Sequence, residues 1–339
     1  MKKQSILDMS YEDLTELLIS EGFKKFNSKQ IFAWIYKKNT YDFNDMTDLS
    51  KQLRSYLIEN FVILTSEIKI LKKSEDGTIK FLLEYDDNEK IETVIIFHND
   101  RTTLCVSSQI GCPLNCSFCV TGSTGYKRNL RAGEIIEQIL HSNILGYFPT
   151  NIVFMGMGEP LLNLDNLTNS LKTIFSKDGL EYSLRKVTVS TSGLCDEMLE
   201  LEKKFDYISW AISLHAPNNE IRNQIMPINK KYPLEKLVDV LKKLKLKYGR
   251  KLTIEYILIE DVNCEKRHAL KLIELLKSVK YKINLIVYNE NPYKDYKKPD
   301  MDKILEFQNT LIKAGIVCKI RKSKGEDISA ACGQLACEK

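Results

Sequence analysis

No stretch of the 339-residue chain approaches the roughly 18 consecutive apolar residues of a membrane-spanning helix. The first residues, MKKQSILDMSYEDL, turn acidic and polar where a secretory signal needs an apolar run. These two absences predict a cytoplasmic protein with no membrane partner, whose thiols stay reduced. Low-complexity tracts and internal sequence repeats are missing too. Histidine is scarce: His98, His141, His215 and His268 are the only four, and no two stand at the H-x3–5-H spacing of a zinc pair. Nor does either sign of charge dominate. A net charge of +5 with 28% charged residues permits a nucleic-acid partner without demanding one. Nine cysteines is an odd count, which argues against a secreted disulfide framework. Some of those thiols need a chemical explanation.

A chain of this length, 43% hydrophobic, can bury one large domain, or one large and one small. Residues 1–60 read as helical. Ser10 and Asp13 form a capping-box pattern ahead of YEDLTELLIS, and SKQIFAWIYKK (28–38) and SKQLRSYLIEN (50–60) are short amphipathic helices. Residues 62–98 switch to β-like runs, with TIKFLLEY and KIETVIIF joined by DDNE as a hairpin. From about residue 101 strands and helices alternate. The strands are TLCVSSQ, NIVFMG, KVTVST, YISWAISLH, KLTIEYILI, KINLIVY and IVCKIR. Between them run helical stretches such as AGEIIEQILHSNILG, PLEKLVDVLKKLK and MDKILEFQNTLIKAG. Repeated βα units of this kind imply an α/β fold with a parallel sheet, barrel-like or doubly wound. The distinctive motifs fall just after the strands, where a βα barrel gathers its functional residues.

The densest motif is GCPLNCSFCVTG, which spaces Cys112, Cys116 and Cys119 as C-x3-C-x2-C. Three thiols are one short of a closed tetrahedral metal site. Soft thiolates in this density suit zinc or iron–sulfur. Zinc would need a distant fourth ligand. A four-iron cluster held by three cysteines would leave one iron open to a substrate or cofactor. Metal-free structural cysteines are the remaining reading. The segment GMGEP places Gly158, which allows a close backbone approach, beside Glu159, which offers a negative partner to an ammonium. By itself it is also an ordinary glycine turn.

CPLNCSFC resembles the radical S-adenosylmethionine (SAM) signature, including the aromatic Phe118 before the last cysteine. RTTLCVSSQIGCPLNCSFC, NIVFMGMGEPLLN, RKVTVSTSG, AISLHAPN, KINLIVYN and RKSKGEDISAACGQLA together resemble the RlmN family of radical SAM RNA methyltransferases, over essentially the whole chain. The related Cfr enzymes share the frame, and GEPLLN is similar to RlmN rather than Cfr. The resemblance implies a partial (β/α)6 TIM-like barrel at 99–339 that ends in a methyl-carrier loop. It also implies an accessory module at 1–98 for RNA recognition. Cys112, Cys116 and Cys119 would ligate one 4Fe–4S cluster whose fourth iron binds SAM, with two SAM consumed per turnover and an external donor, a flavodoxin-like reductant, supplying electrons. Gly158, Glu159, Ser190, Ser213, Leu214, His215 and Asn289 would contact SAM. The run YNENPYKDYKKPD departs from the family pattern and leaves Asn291 as a rival to Asn289.

The expected activity is methylation of carbon 2 of adenine in 23S ribosomal RNA, and in transfer RNA in some members, by a monomer. The same chemistry at carbon 8 is the alternative. A non-catalytic metal-binding or redox RNA-binding protein is a more distant one. Cys332 would carry the methyl as S-methylcysteine. Cys105 would resolve the RNA adduct through a transient disulfide with Cys332, and Glu92 would accept a proton. Outside the resemblance, Cys105 reads as a small core residue and Glu92 as a solvent-facing strand residue. Cys195, Cys264, Cys318 and Cys337 match no motif. For the RNA backbone, YKRNLR (126–131) is a better candidate than the basic run from Lys242 to Lys251, which reads as a solvated helix face. Residues 1–60 carry nine basic and nine acidic side chains, so this block is no bulk electrostatic anchor.

Overall fold

The computed structural model describes residues 3–291 and 294–337. Its backbone is one ten-stranded sheet whose strands follow one another in space as they do in the chain. The first four, Ser66–Lys73, Ile79–Tyr85, Lys90–His98 and Arg101–Cys105, are antiparallel neighbours. Arg101–Cys105 then pairs in parallel with Asn151–Phe154. Parallel pairing continues through Val187–Thr191, Ser209–Ser213, Leu252–Leu258 and Tyr281–Val287 to the edge strand Cys318–Arg321. Six helical crossovers therefore join seven parallel strands. The sheet does not close on itself, since Ser66–Lys73 and Cys318–Arg321 remain separate edges. This is the expected partial barrel. The hairpin strands between 66 and 98 extend the same sheet.

Every strand read from the sequence is present, each within a few residues of its expected limits. The helix Cys195–Lys204 is one that the pattern reading passed over. The capping box forms: the Asp13 N–H donates to Ser10 Oγ at 3.1 Å, and the Ser10 N–H to Asp13 Oδ2 at 3.2 Å. The helix Phe26–Phe32 continues as a π-helical turn over Ala33–Lys37. No helix among the described residues is long and apolar enough to cross a membrane.

Side-chain alternation along the parallel strands builds the site. On Leu252–Leu258 the even-numbered residues meet the helices, as where the Tyr256 ring packs 5.2 Å from that of Phe307. The odd-numbered residues Glu255 and Ile257 face the barrel interior. In-register pairing aligns Ser213, Glu255, Asn284 and Lys319 as one row across four strands. Ile257, Ile286 and Arg321 form the next row.

Candidate active site

The cysteine loop grows out of a small hairpin, Gln109–Gly111 with Tyr126–Asn129. Gly111 sits at φ 74°, and a Cβ there would lie 1.7 Å from the Gly125 carbonyl oxygen, so only glycine fits. The Cys112 N–H donates to that same carbonyl at 3.0 Å, and the Cys119 N–H to the Cys116 carbonyl at 3.1 Å. The three thiols line one cavity together with Gly158, Glu159, Ser190, Ser213 and His215. Burial pushes the Cys112 thiol up to about 12, and that of Cys116 well above its ordinary value, with the neighbouring thiols adding to both shifts. Buried thiols such as Cys112 and Cys116 ionise only against a strong local cation. An all-sulfur donor set with no carboxylate or imidazole in the loop fits iron–sulfur chemistry. Among the described residues, no three Cys, His, Asp or Glu side chains converge closely enough to hold a single metal ion.

Gly158 has a reason that the sequence did not suggest. At φ 98° its absent Cβ would fall 2.5 Å from Gln109 Cβ, so the close approach is to the hairpin strand. The Glu159 N–H donates to Gln109 Oε1 at 2.8 Å, which ties the glycine segment to the cysteine hairpin. The Glu159 carboxylate is buried. It accepts from the Ser192 N–H at 2.7 Å and the Leu161 N–H at 3.2 Å. His215 has a left-handed backbone, φ 58°. Its Nδ1 accepts the Ile257 N–H at 3.0 Å, which fixes the neutral tautomer with the proton on Nε2. Burial, with help from Arg222, pulls its pKa down to about 3. The Phe118 ring stands edge-on to His215 at 4.9 Å, joining the signature loop to the SLH segment.

A second, wider cleft opens beside this cavity, and Cys332 lines both. Cys105, at the end of Arg101–Cys105, lies in the second cleft, so two thiols 227 positions apart in sequence share one space. Burial, and then Cys332 itself, pushes the Cys105 thiol up to about 12, opposed by Arg321. Arg321 also lines both spaces. The cleft is lined by Arg101, Lys319, Lys322 and Lys324, and by no acidic side chain among the described residues. The segment that follows Cys332 is bonded to the cysteine loop on either side of Gln334. The Val120 N–H donates to the Gly333 carbonyl at 2.8 Å, and Thr121 Oγ1 to the Leu335 carbonyl at 2.6 Å.

Not every expected residue joins these walls. Leu214 is fully buried behind the first cavity, where its backbone N–H donates to the Glu255 carbonyl. Asn289 lines the second cleft and accepts from Ser323 Oγ at 2.8 Å, whereas Asn291 donates to the Tyr288 hydroxyl. Glu92 lies outside both linings and does not face solvent. At 2% exposure it pairs with Lys80 at 2.8 Å, and its other oxygen accepts the N–H groups of Ala336 and Cys337. Lys127, Arg128 and Arg131 are held in ion pairs with Glu89, Asp87, Glu134 and Asp8.

Two residues escaped the sequence reading. Arg222, with no exposed surface, donates to the carbonyls of Ser192, Ser213, Leu214 and Tyr232 and to Asn229 Oδ1. It thereby fixes the strand ends behind the first cavity. The other is Glu255, in its floor. Four of the cleft's cations, Lys319, Arg321, Lys322 and Lys324, had a visible signal in the run KIRKSK ahead of Cys332.

Comparison with known proteins agrees with this geometry. Residues 106–273 match the model of the radical SAM superfamily, and residues 4–63 that of the ribosomal RNA large subunit methyltransferase N-terminal domain. A radical SAM methyltransferase crystal structure from Sphaerobacter thermophilus matches with a TM-score of 0.94 at 37% identity, covering 99% of this chain and 100% of that one. The probable dual-specificity RNA methyltransferase RlmN of Petrotoga mobilis is 45% identical over 99% of this chain and 97% of its own length. The dual-specificity RNA methyltransferase RlmN of Solidesulfovibrio magneticus is 41% identical over 98% of this chain and 97% of its own. The superfamily implies a 4Fe–4S cluster and SAM, and the cavity's thiols and polar strand ends suit both. With fold, N-terminal block and cysteine loop all matched along nearly its whole length, the chain belongs to the RlmN family of radical SAM RNA methyltransferases.

Proposed function

We propose that this enzyme methylates carbon 2 of adenine in 23S ribosomal RNA and in transfer RNA, with Cys332 as methyl carrier and Cys105 as resolving thiol. The observation that carries the reading is the position of Cys332 in the wall common to both spaces, with Cys105 in the second. The double substrate follows the dual specificity named for its relatives.

Carbon 2 of adenine sits between two ring nitrogens and is too electron-poor to attack a methyl cation equivalent. When bound, the cluster and SAM supply a methyl group and a radical that abstracts hydrogen. Cys112, Cys116 and Cys119 hold the cluster, while Gly158, Glu159, Ser190, Ser213 and His215 hold SAM. Asn289, in the second cleft, is the remaining contact. The Cys332 thiolate takes the methyl and becomes a thioether. After loss of one hydrogen atom, its methylene carbon bonds to carbon 2. Restoring the ring then requires loss of one electron, which a bound cluster would accept, and of the carbon 2 proton, which passes to Glu92. The Cys105 thiolate next attacks the Cys332 sulfur. The carbon–sulfur bond breaks with its electron pair on carbon, a proton completes the product methyl, and the two cysteines are left as a disulfide. Cytosolic thiols return two electrons to it by exchange. Glu92 holds its place through Lys80 and the backbone of Ala336 and Cys337, so its release as a base is tied to the carrier segment.

The test is methylation of ribosomal and transfer RNA fragments side by side, with the modified base mapped by mass spectrometry. Methyl on carbon 2 in both supports the reading, and methyl on carbon 8 alone overturns it. Cys105→Ala should accumulate RNA covalently bound to Cys332. Continued turnover by that variant removes Cys105 from its role.

A further inference from the structure

Arg222 is a buried cation whose hydrogen bonds are filled and whose charge is unmatched. It sits on the helix Asn219–Ile225 with no exposed surface. Its guanidinium donates to the carbonyls of Ser192, Ser213, Leu214 and Tyr232 and to Asn229 Oδ1, all neutral acceptors. Burial pulls its pKa down to about 10, which leaves it charged at neutral pH. Among the described residues no carboxylate supports that charge; the groups that favour it are two thiols, Cys116 and Cys195. Taking a cation out of water without an anion is costly, and a fold keeps one where an anion completes the pair.

The two thiols differ in what they can become. Cys195 Sγ donates to the Gly193 carbonyl at 3.5 Å, and burial pushes its pKa up to about 11, so it stays neutral. Cys116 belongs to the cysteine loop, and that loop is docked on the helix that carries Arg222. The Ser117 N–H donates to the Ile225 carbonyl at 2.9 Å, and Cys116 packs with Ala216, Ile225 and Met226. Ser192 and Ser213, whose carbonyls take the guanidinium, line the same cavity as the three cysteines. A four-iron cluster on three thiolates is an anion, and the electron it accepts from a one-electron donor adds a further negative charge. The potential of such a cluster follows the charges fixed around it. We infer that the positive charge of Arg222, held behind Cys116, raises the reduction potential of the cluster and brings it within reach of a flavodoxin-like donor. The inference rests on the assignment of Cys112, Cys116 and Cys119 to that cluster.

The experiment is a potentiometric titration of the anaerobically reconstituted full chain, with the reduced cluster followed by electron paramagnetic resonance. Wild type is compared with Arg222→Gln, Arg222→Lys and Asn229→Asp at matched iron content. Asn229 Oδ1 already accepts from Arg222 Nη1 at 2.9 Å, so Asn229→Asp sets a carboxylate on the guanidinium and leaves the arginine in place. Arg222→Gln and Asn229→Asp should each make reduction less favourable by roughly ten-fold or more, a midpoint lower by about 59 mV for one electron. Arg222→Lys keeps the charge and should stay within roughly three-fold of wild type. Both Arg222 variants lose most of the donor fork and should unfold at lower urea, so stability does not separate them and the potential does. A wild-type midpoint in Asn229→Asp overturns the inference, and this variant decides alone if Arg222→Gln takes up no iron. An equal fall in Arg222→Lys and Arg222→Gln overturns it too, since the loss would then follow the geometry and not the charge. Wild-type protein that reconstitutes without a four-iron signal overturns the assignment of the three cysteines instead.

Discussion

Glu137 and Glu255 are both carboxylates taken out of water, and the protein treats them in opposite ways. Glu137 lies on the helix Ala132–Ile144 with no exposed surface. Its Oε1 accepts the Thr65 N–H at 2.9 Å and the Thr65 hydroxyl at 2.7 Å, and its Oε2 accepts the Ser66 hydroxyl, which also contacts His141 Nε2 at 3.0 Å. Every acceptor is filled from within, and the cluster fastens the start of the first sheet strand to a barrel helix. Glu255 is equally dry but half answered. Burial raises both carboxyls; Thr65 and Ser66 pull Glu137 back through three hydrogen bonds, whereas Glu255 is opposed by the charge of Arg321 and one hydrogen bond from Asn284. A satisfied buried acid does architectural service, whereas an unsatisfied one beside a cavity marks where something must arrive.

The contrast breaks first at the cavity. Cys116→Ala should bind iron substoichiometrically after reconstitution and lose methylation below detection, while the apo-protein loses no more than about 1 kcal/mol in urea unfolding. Iron analysis and a denaturant titration on the same sample check this. A variant that keeps full iron and turnover would remove Cys116 from the ligand set.

Arg222 tests whether the wall behind the cavity belongs with Glu137 as architecture. Its guanidinium has no exposed surface and five acceptors. Arg222→Met should cost about 3–5 kcal/mol, because the acceptors stay buried without donors. Urea midpoints at matched slope give the answer.

Glu137 sharpens the contrast through pH. Its pKa is raised to about 7, chiefly by burial, so the folded protein holds a proton there that the unfolded chain has released above its ordinary 4.5. That contribution stabilises at low pH and is lost as pH rises from about 4.5 through 7. His141 runs the other way. Burial pulls it down to about 4, so its contribution is lost as pH falls from 6.5 toward 4. In wild type the two slopes oppose each other. Glu137→Gln removes one of them, and the stability of the variant relative to wild type should climb by about 2 kcal/mol between pH 4.5 and 7. A melting series at half-unit pH steps reads this out, and a flat difference would refute the buried-acid account. The smallest effect belongs at the surface. Lys245→Ala, which breaks an exposed pair with Asp206, should leave the urea midpoint indistinguishable from wild type.

How much of this was legible beforehand follows from how local each signal is. The cysteine loop, the capping box and the individual strands are written in short runs of residues. Glu255 is not, since in LTIEYIL an acid among apolar neighbours reads as the wet side of a half-buried strand. In a parallel sheet wrapped by helices both faces are covered, and the polar face turns inward to the cavity. Glu92 misleads for the same reason: its pairing with Lys80 and the C-terminal backbone joins segments 244 positions apart. Arg222 collects acceptors from three separate loops, which no window along the chain contains. The helix Cys195–Lys204 was passed over because DEMLELEKK is so rich in charge that its apolar stripe reduces to Cys195, Met198 and Leu201.

The two bonds between the cysteine loop and the C-terminal segment, from Val120 to Gly333 and from Thr121 to Leu335, fasten stretches of chain up to 214 positions apart. They act as a mechanical linkage. A length change in either stretch shifts the other by the same step, so an insertion between Cys119 and Ser123 survives only with a compensating change after Cys332. The cysteine loop and the C-terminal segment are thus bound to drift together or not at all.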